Sequence, residues 1–168
     1  MPDRERESED AAPHYVHEIE HGHAAYTDAE LLEQCQLNAQ AFILVVFSAV
    51  EEDLASLNRL VERVAATFAA GWQMDRDWQP VEVLDALLVN YRSFGATVEA
   101  YDPDDQAPSA VLAGLPNADL ASELQVATTS FRPMLAIGER LAARMACDLE
   151  WSHDTPTGRI RLQVRRAS

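Results

Sequence analysis

Lysine is absent from this sequence. All 13 basic residues are arginine, set against 28 aspartates and glutamates, and the formal net charge is −15. Such an excess repels phosphate backbones and disfavours non-specific nucleic-acid binding on charge grounds alone. Cysteine is nearly missing too. Cys35 and Cys147 are the only two, too few for a disulfide framework, which fits reduced thiols and a cytoplasmic setting. No secretory signal is expected from residues 1–12, which are mostly acidic rather than basic followed by apolar. Residues 34–50 form the longest uncharged run, yet Gln34, Gln36, Asn38 and Gln40 interrupt its apolar character. A span needs about 20 predominantly apolar residues, so no membrane span is expected. There is no internal repeat, no P-loop, no dinucleotide fingerprint, no GxSxG and no HExxH.

What is present is an ordinary apolar fraction, 48%, in a length suited to a single domain. Residues 1–13 are charged and lack large apolar side chains, and read as a disordered acidic tail. Residues 14–168 read as one mostly helical α+β domain, built on a long N-terminal helix in a helical bundle and closed by a C-terminal β-hairpin at about 147–166.

The long helix rests on three signals. Thr27 and Glu30 fit a capping box. No glycine or proline interrupts residues 28–70, and Gly71 then supplies a common helix terminator. Between them Leu32, Cys35, Ala39, Phe42, Val46, Val50, Leu54, Leu57, Val61, Val64 and Phe68 keep spacings of three and four. An unbroken helix of this length would run about 65 Å, whereas a compact domain of this size is about 40 Å across. Ser48 to Glu51 offers a second capping box and a possible break. The spacing passes through it, however, and the reading favours continuity. A partner must then cover the excess, and Phe42, Val46, Val50, Leu54, Leu57 and Val61 are the expected interface.

Further along, "GWQMDRDWQP" is a connector, and Pro80 opens a second helix carrying Leu84, Leu87, Leu88, Tyr91, Phe94, Val98 and Tyr101. Gly95 makes its end uncertain, and "ATVEAY" reads alternatively as a strand. "YDPDDQAPS" is a loop by composition. Asn117 is a good N-cap for a third helical stretch, which Pro133 kinks or restarts. In the tail, Leu149 and Trp151 precede "SHDTPTG" while Ile160, Leu162 and Val164 follow it, an alternation that predicts a hairpin. Asp148 and Glu150 would then face Arg159, Arg161 and Arg165 across the strands.

Candidate chemistry is sparse. His17 and His21 stand one helical turn apart, the separation that two ligands of one zinc ion need, and Glu20 or His23 offers a third. The bland reading is a polar segment whose four histidines, His14 included, titrate in solvent. Cys35 reads as a small hydrophobe in the stripe. Cys147 with His153 makes a weak nucleophile pair. Asp75 and Asp77, between Trp72 and Trp78, suggest coupled carboxylates, against the commoner role of tryptophans as anchors. "DPDDQ" lacks the glycine and distal glutamate of a calcium loop. Arg165 and Arg166 read as a solvated tail.

The expectation is a non-enzymatic protein-binding or regulatory protein that acts as a homo-oligomer or in a hetero-complex, with no cofactor. The alternatives are a metal-binding helical protein using His17, His21, His23 and Glu20 with a divalent transition metal such as zinc, and an acidic nucleic-acid mimic using the acids of residues 99–123.

Overall fold

A computed structural model describes residues 27–168. Its elements run α1 (Asp28–Val50), α2 (Leu54–Ala69), α3 (Pro80–Ser93), β1 (Thr97–Asp102), β2 (Ser109–Ala113), α4 (Ala118–Glu123), a 3-10 turn (Thr128–Phe131), α5 (Arg132–Arg144), β3 (Cys147–Asp154) and β4 (Arg159–Arg166). The described residues divide into two units, residues 27–35 and Gln36–Ser168. The expected disordered tail, residues 1–13, lies outside the described residues.

In the first unit the capping box forms as expected. The Thr27 amide donates to Glu30 Oε2 at 2.8 Å and the Glu30 amide to Thr27 Oγ1 at 3.3 Å. The Thr27 amide, joined by the Thr27 hydroxyl donating to the same Oε2 at 2.8 Å, stabilises the ionised form and holds the Glu30 carboxyl below its usual pKa.

The continuous helix over residues 27–70 is corrected. It stops at Val50, and α2 begins at Leu54. The reason lies in three consecutive acids, Glu51, Glu52 and Asp53. They sit at the carboxyl end of α1, where carbonyl dipoles disfavour negative charge, and just ahead of α2, where amide dipoles favour it. Asp53 is the N-cap of α2, its Oδ1 accepting from the amides of Ala55 and Ser56 at 3.1 Å each. Ser48 is not a cap. Its hydroxyl donates back to the Val45 carbonyl at 3.0 Å and remains within α1. With the rod broken, the argument that a partner must cover its overhang falls away.

The second unit is α+β, with a wholly antiparallel four-stranded sheet in the order β1-β2-β4-β3. The hairpin forms, with Leu149 opposite Val164 and Trp151 opposite Leu162. It is only half of the sheet, because β4 also pairs with β2. Strand β2 begins inside the stretch that composition assigned to a loop; Ala110 and Leu112 point inward and are buried. The "ATVEAY" alternative is realised as β1, and α3 ends at Ser93, with Gly95 at φ +94° making the turn.

One face of the sheet carries the buried Cys147, Leu149, Ile160, Leu162 and Val164, against which α3 and α5 pack. The other carries charged side chains, as alternation requires. Pro80 occupies the first turn of α3, and the Gln79 amide donates to Glu82 Oε2 at 2.9 Å. Pro133 starts a fresh helix, α5, rather than kinking an older one. The segment of α1 from residue 36 contributes Gln40, Leu44 and Phe47 to the interior. Gln40 is the buried polar member. Its Nε2 donates to the Phe94 carbonyl at 2.7 Å, and its Oε1 accepts from the Asn117 amide at 2.8 Å.

Candidate functional site

His14, His17, Glu20, His21 and His23 lie outside the described residues, and among the described residues no group of three or more His, Cys, Asp or Glu side chains is placed to hold a metal ion. No helix among them is long and apolar enough to cross a membrane.

The other candidate pairs are not assembled. Cys147 and His153 sit six residues apart on one strand, roughly 20 Å at strand rise, which is no dyad. Burial pushes the Cys147 thiol up, with Arg166 opposing. Cys35, read as a stripe residue, is exposed. Asp77 is engaged by an arginine from the last strand. It accepts from Arg166 Nη2 at 2.7 Å, and Arg166 Nη1 also donates to the Trp78 carbonyl at 2.7 Å. Arg165 pairs with Glu150 at 3.1 Å, so the last strand is pinned at both arginines and the solvated-tail reading is corrected. Arg159 reaches past the hairpin to Glu99 at 2.6 Å, which lowers that carboxyl's pKa through the hydrogen bond and the arginine's charge. One acid of the proposed mimic surface is thereby neutralised.

Three features remain. The first is the outward face of α1 from residue 36. No ionisable side chain occurs between Gln36 and Val50. Leu44 and Phe47 turn inward, while Phe42 is 69% exposed and Val45 47%. Sequence reasoning named Phe42 and missed Val45, which a seven-residue count from the exposed Asn38 would have flagged. The six expected interface residues do not form one stripe, because the break separates them. Phe42 and Leu54 are exposed, Val46, Val50 and Leu57 are half-buried, and Val61 is buried in the chain's own core.

The second feature is a concavity of ≈ 460 Å³ beside the connector, walled by Trp72, Trp78 and Val89 with Arg76 and Asn90. The Trp72 and Trp78 ring centroids lie 6.0 Å apart, tilted by 30°, and the Arg76 guanidinium stacks 3.8 Å above the Trp78 ring. Trp78 Nε1 donates to the Gln73 carbonyl at 2.8 Å. These contacts anchor the connector, and neither Asp75 nor Asp77 lines the space.

The third lies at the elbow between α1 and α2. Glu51, Ser130, Arg132 and Trp151 line a concavity of ≈ 270 Å³ with Leu57 and Pro133. Ser130 is buried and its hydroxyl donates to Glu51 Oε2 at 2.8 Å. Trp151 Nε1 donates to Glu139 Oε1 at 2.6 Å, fixing the ring. Nearby, burial lowers the pKa of His153, and the positive charge of Arg132 lowers it further. Nothing in the sequence announced this site, since its members come from four elements.

No family model and no curated protein match this chain. Two solved structures show limited similarity. One is an Fe(II) unliganded H-NOX protein from K. algicida, 9% identical over 87% of this chain and 76% of that one, with a TM-score of 0.37. The other is a point mutant of the same protein, 11% identical over 90% and 82%, with a TM-score of 0.34. Likeness of this degree carries no argument about function or cofactor.

Proposed function

We propose that the protein is a non-enzymatic binding protein that pairs with a second copy of itself through the outward face of α1. One observation carries the reading: in a chain of net charge −15, the stretch from Gln36 to Val50 holds no charge and still exposes Phe42 and Val45. Apolar side chains of this size in one exposed stripe favour removal from water. A second copy is the occupant that the charges favour. Elsewhere two copies would bring acid against acid, whereas residues 36–50 of α1 meeting the same stretch of a second copy oppose no like charges. A basic partner would be drawn to the acidic surfaces instead. A two-fold pairing places the same patch on both sides, and Ala49, small and exposed on the same helix, allows the backbones to approach.

The test is light scattering on the full chain, with Phe42→Asp alongside. Phe42 is exposed, so the change leaves the interior intact. The expected result is a dimer mass for the wild type and a monomer mass for the variant, with unchanged circular dichroism. A wild-type mass that stays monomeric up to high protein concentration would overturn the reading.

A further inference from the structure

The concavity at the elbow goes beyond that reading and stands whether or not two copies meet on α1. Glu51 follows the last residue of α1 and Arg132 is the first of α5. Both line the same space, yet no ion pair joins them, and among the described residues the Arg132 guanidinium has no hydrogen bond or ion pair at all. One oxygen of Glu51 is tethered by the buried Ser130 hydroxyl, which fixes the carboxylate and leaves Oε1 available.

Opposite charges that share a concavity without touching are the complement of a ligand carrying both charges itself. An anion would meet Glu51 and a net charge of −15, and a cation would meet Arg132. A zwitterion is neutral overall, so the global field does not exclude it, and each of its charges finds a counterpart. Drug-sized pockets run roughly 300–1,000 Å³. At ≈ 270 Å³ this space suits something smaller. Its remaining lining is mostly apolar, Leu57, Val61, Pro133, Ala136 and Trp151, with Asn58 and Thr129 as the polar members. The geometry points to a binding site for a free α-amino acid with a hydrophobic side chain: its carboxylate on Arg132, its ammonium on Glu51, and its side chain against Trp151 and Leu57.

The test is calorimetric titration of the full chain with L-leucine and L-phenylalanine, then with leucinamide, which lacks the carboxylate, and 4-methylpentanoate, which lacks the ammonium. Saturable binding of at least one amino acid is expected, with each single-charge analogue weaker by roughly tenfold or more. Arg132→Gln should erase the preference for leucine over leucinamide, and Glu51→Gln the preference over 4-methylpentanoate. Absence of saturable binding for both amino acids at millimolar concentration, or equal affinity for leucine and either analogue, overturns the assignment. The analogue series is run on the wild type, so it decides the matter even if a variant folds poorly. Dimerisation is read separately by mass.

Discussion

Gly138 of α5 leaves the space that the Tyr91 hydroxyl of α3 occupies. A Cβ built at position 138 would lie well inside contact distance of that oxygen and 3.0 Å from Leu149 Cδ2. The glycine serves close approach here, since its φ is ordinary. The Tyr91 hydroxyl is buried with no protein hydrogen-bond partner, and burial, reinforced by Glu139, pushes its pKa well above the usual value. Two substitutions should therefore act in opposite directions. Gly138→Ala overpacks the contact and should cost about 1–3 kcal/mol. Tyr91→Phe removes a buried group that has no partner and should stabilise by about 1 kcal/mol. Because both act on one contact, the Ala penalty should shrink in the Phe background. Urea denaturation of the two single variants and the double variant measures that coupling.

Gln40 should behave as a structural keystone. Its amide satisfies the Phe94 carbonyl and the Asn117 amide, joining the end of α3 to the start of α4. Gln40→Leu keeps the volume and strands both backbone groups. At about 1–3 kcal/mol for each unsatisfied group, a loss of about 2–6 kcal/mol is expected. Hydrogen exchange should accelerate at the Asn117 amide more than at amides in the β3–β4 ladder.

The Gln40 result also shows where sequence legibility ends. In the sequence Gln40 is a polar blemish in an apolar run, and nothing local says that it reaches residues more than fifty positions away. The capping box at Thr27, the proline start of α3, the Asn117 cap and the β3–β4 hairpin were all readable, because each signal lies within a few residues of its effect. Strand β2 was not. Five residues of mostly small side chains carry little alternation, and its place is set by pairing with β4. The elbow concavity was invisible for the same reason, since Glu51, Arg132 and Trp151 are brought together only by the fold.

Continuity through residues 48–53, which the spacing favours, gives way to a break capped by Asp53 and not by Ser48, and two substitutions distinguish the two caps. Asp53→Ala removes the acceptor for the Ala55 and Ser56 amides and the Ser56 hydroxyl, so it should lower the melting temperature. Ser48→Ala loses only a back-bond to the Val45 carbonyl and should leave it nearly unchanged. Hydrogen bonds from Ser56 hold the Asp53 carboxyl below its usual pKa. Its contribution is therefore present above the unfolded value near 3.9 and fades as pH falls through the folded value. The gap between Asp53→Ala and wild type should close in acid.

His153 supplies a second pH dependence in a different window. Its pKa is held below the usual 6.5 by burial first and by Arg132 second, with Asp154 opposing, and its Nε2 is buried without a protein partner. Above about pH 6.5 the imidazole is neutral in both folded and unfolded chains and adds no pH dependence. Below it the unfolded chain takes up a proton that the folded chain resists, so stability falls with pH until the folded value is passed. His153→Asn should flatten that slope relative to wild type. Arg132→Gln should raise the His153 pKa, read from its imidazole proton shifts by NMR, without removing the burial component. A His153 titration at the unperturbed value in the wild type would contradict this account, and would mean that the end of β3 is more open to water than its packing indicates.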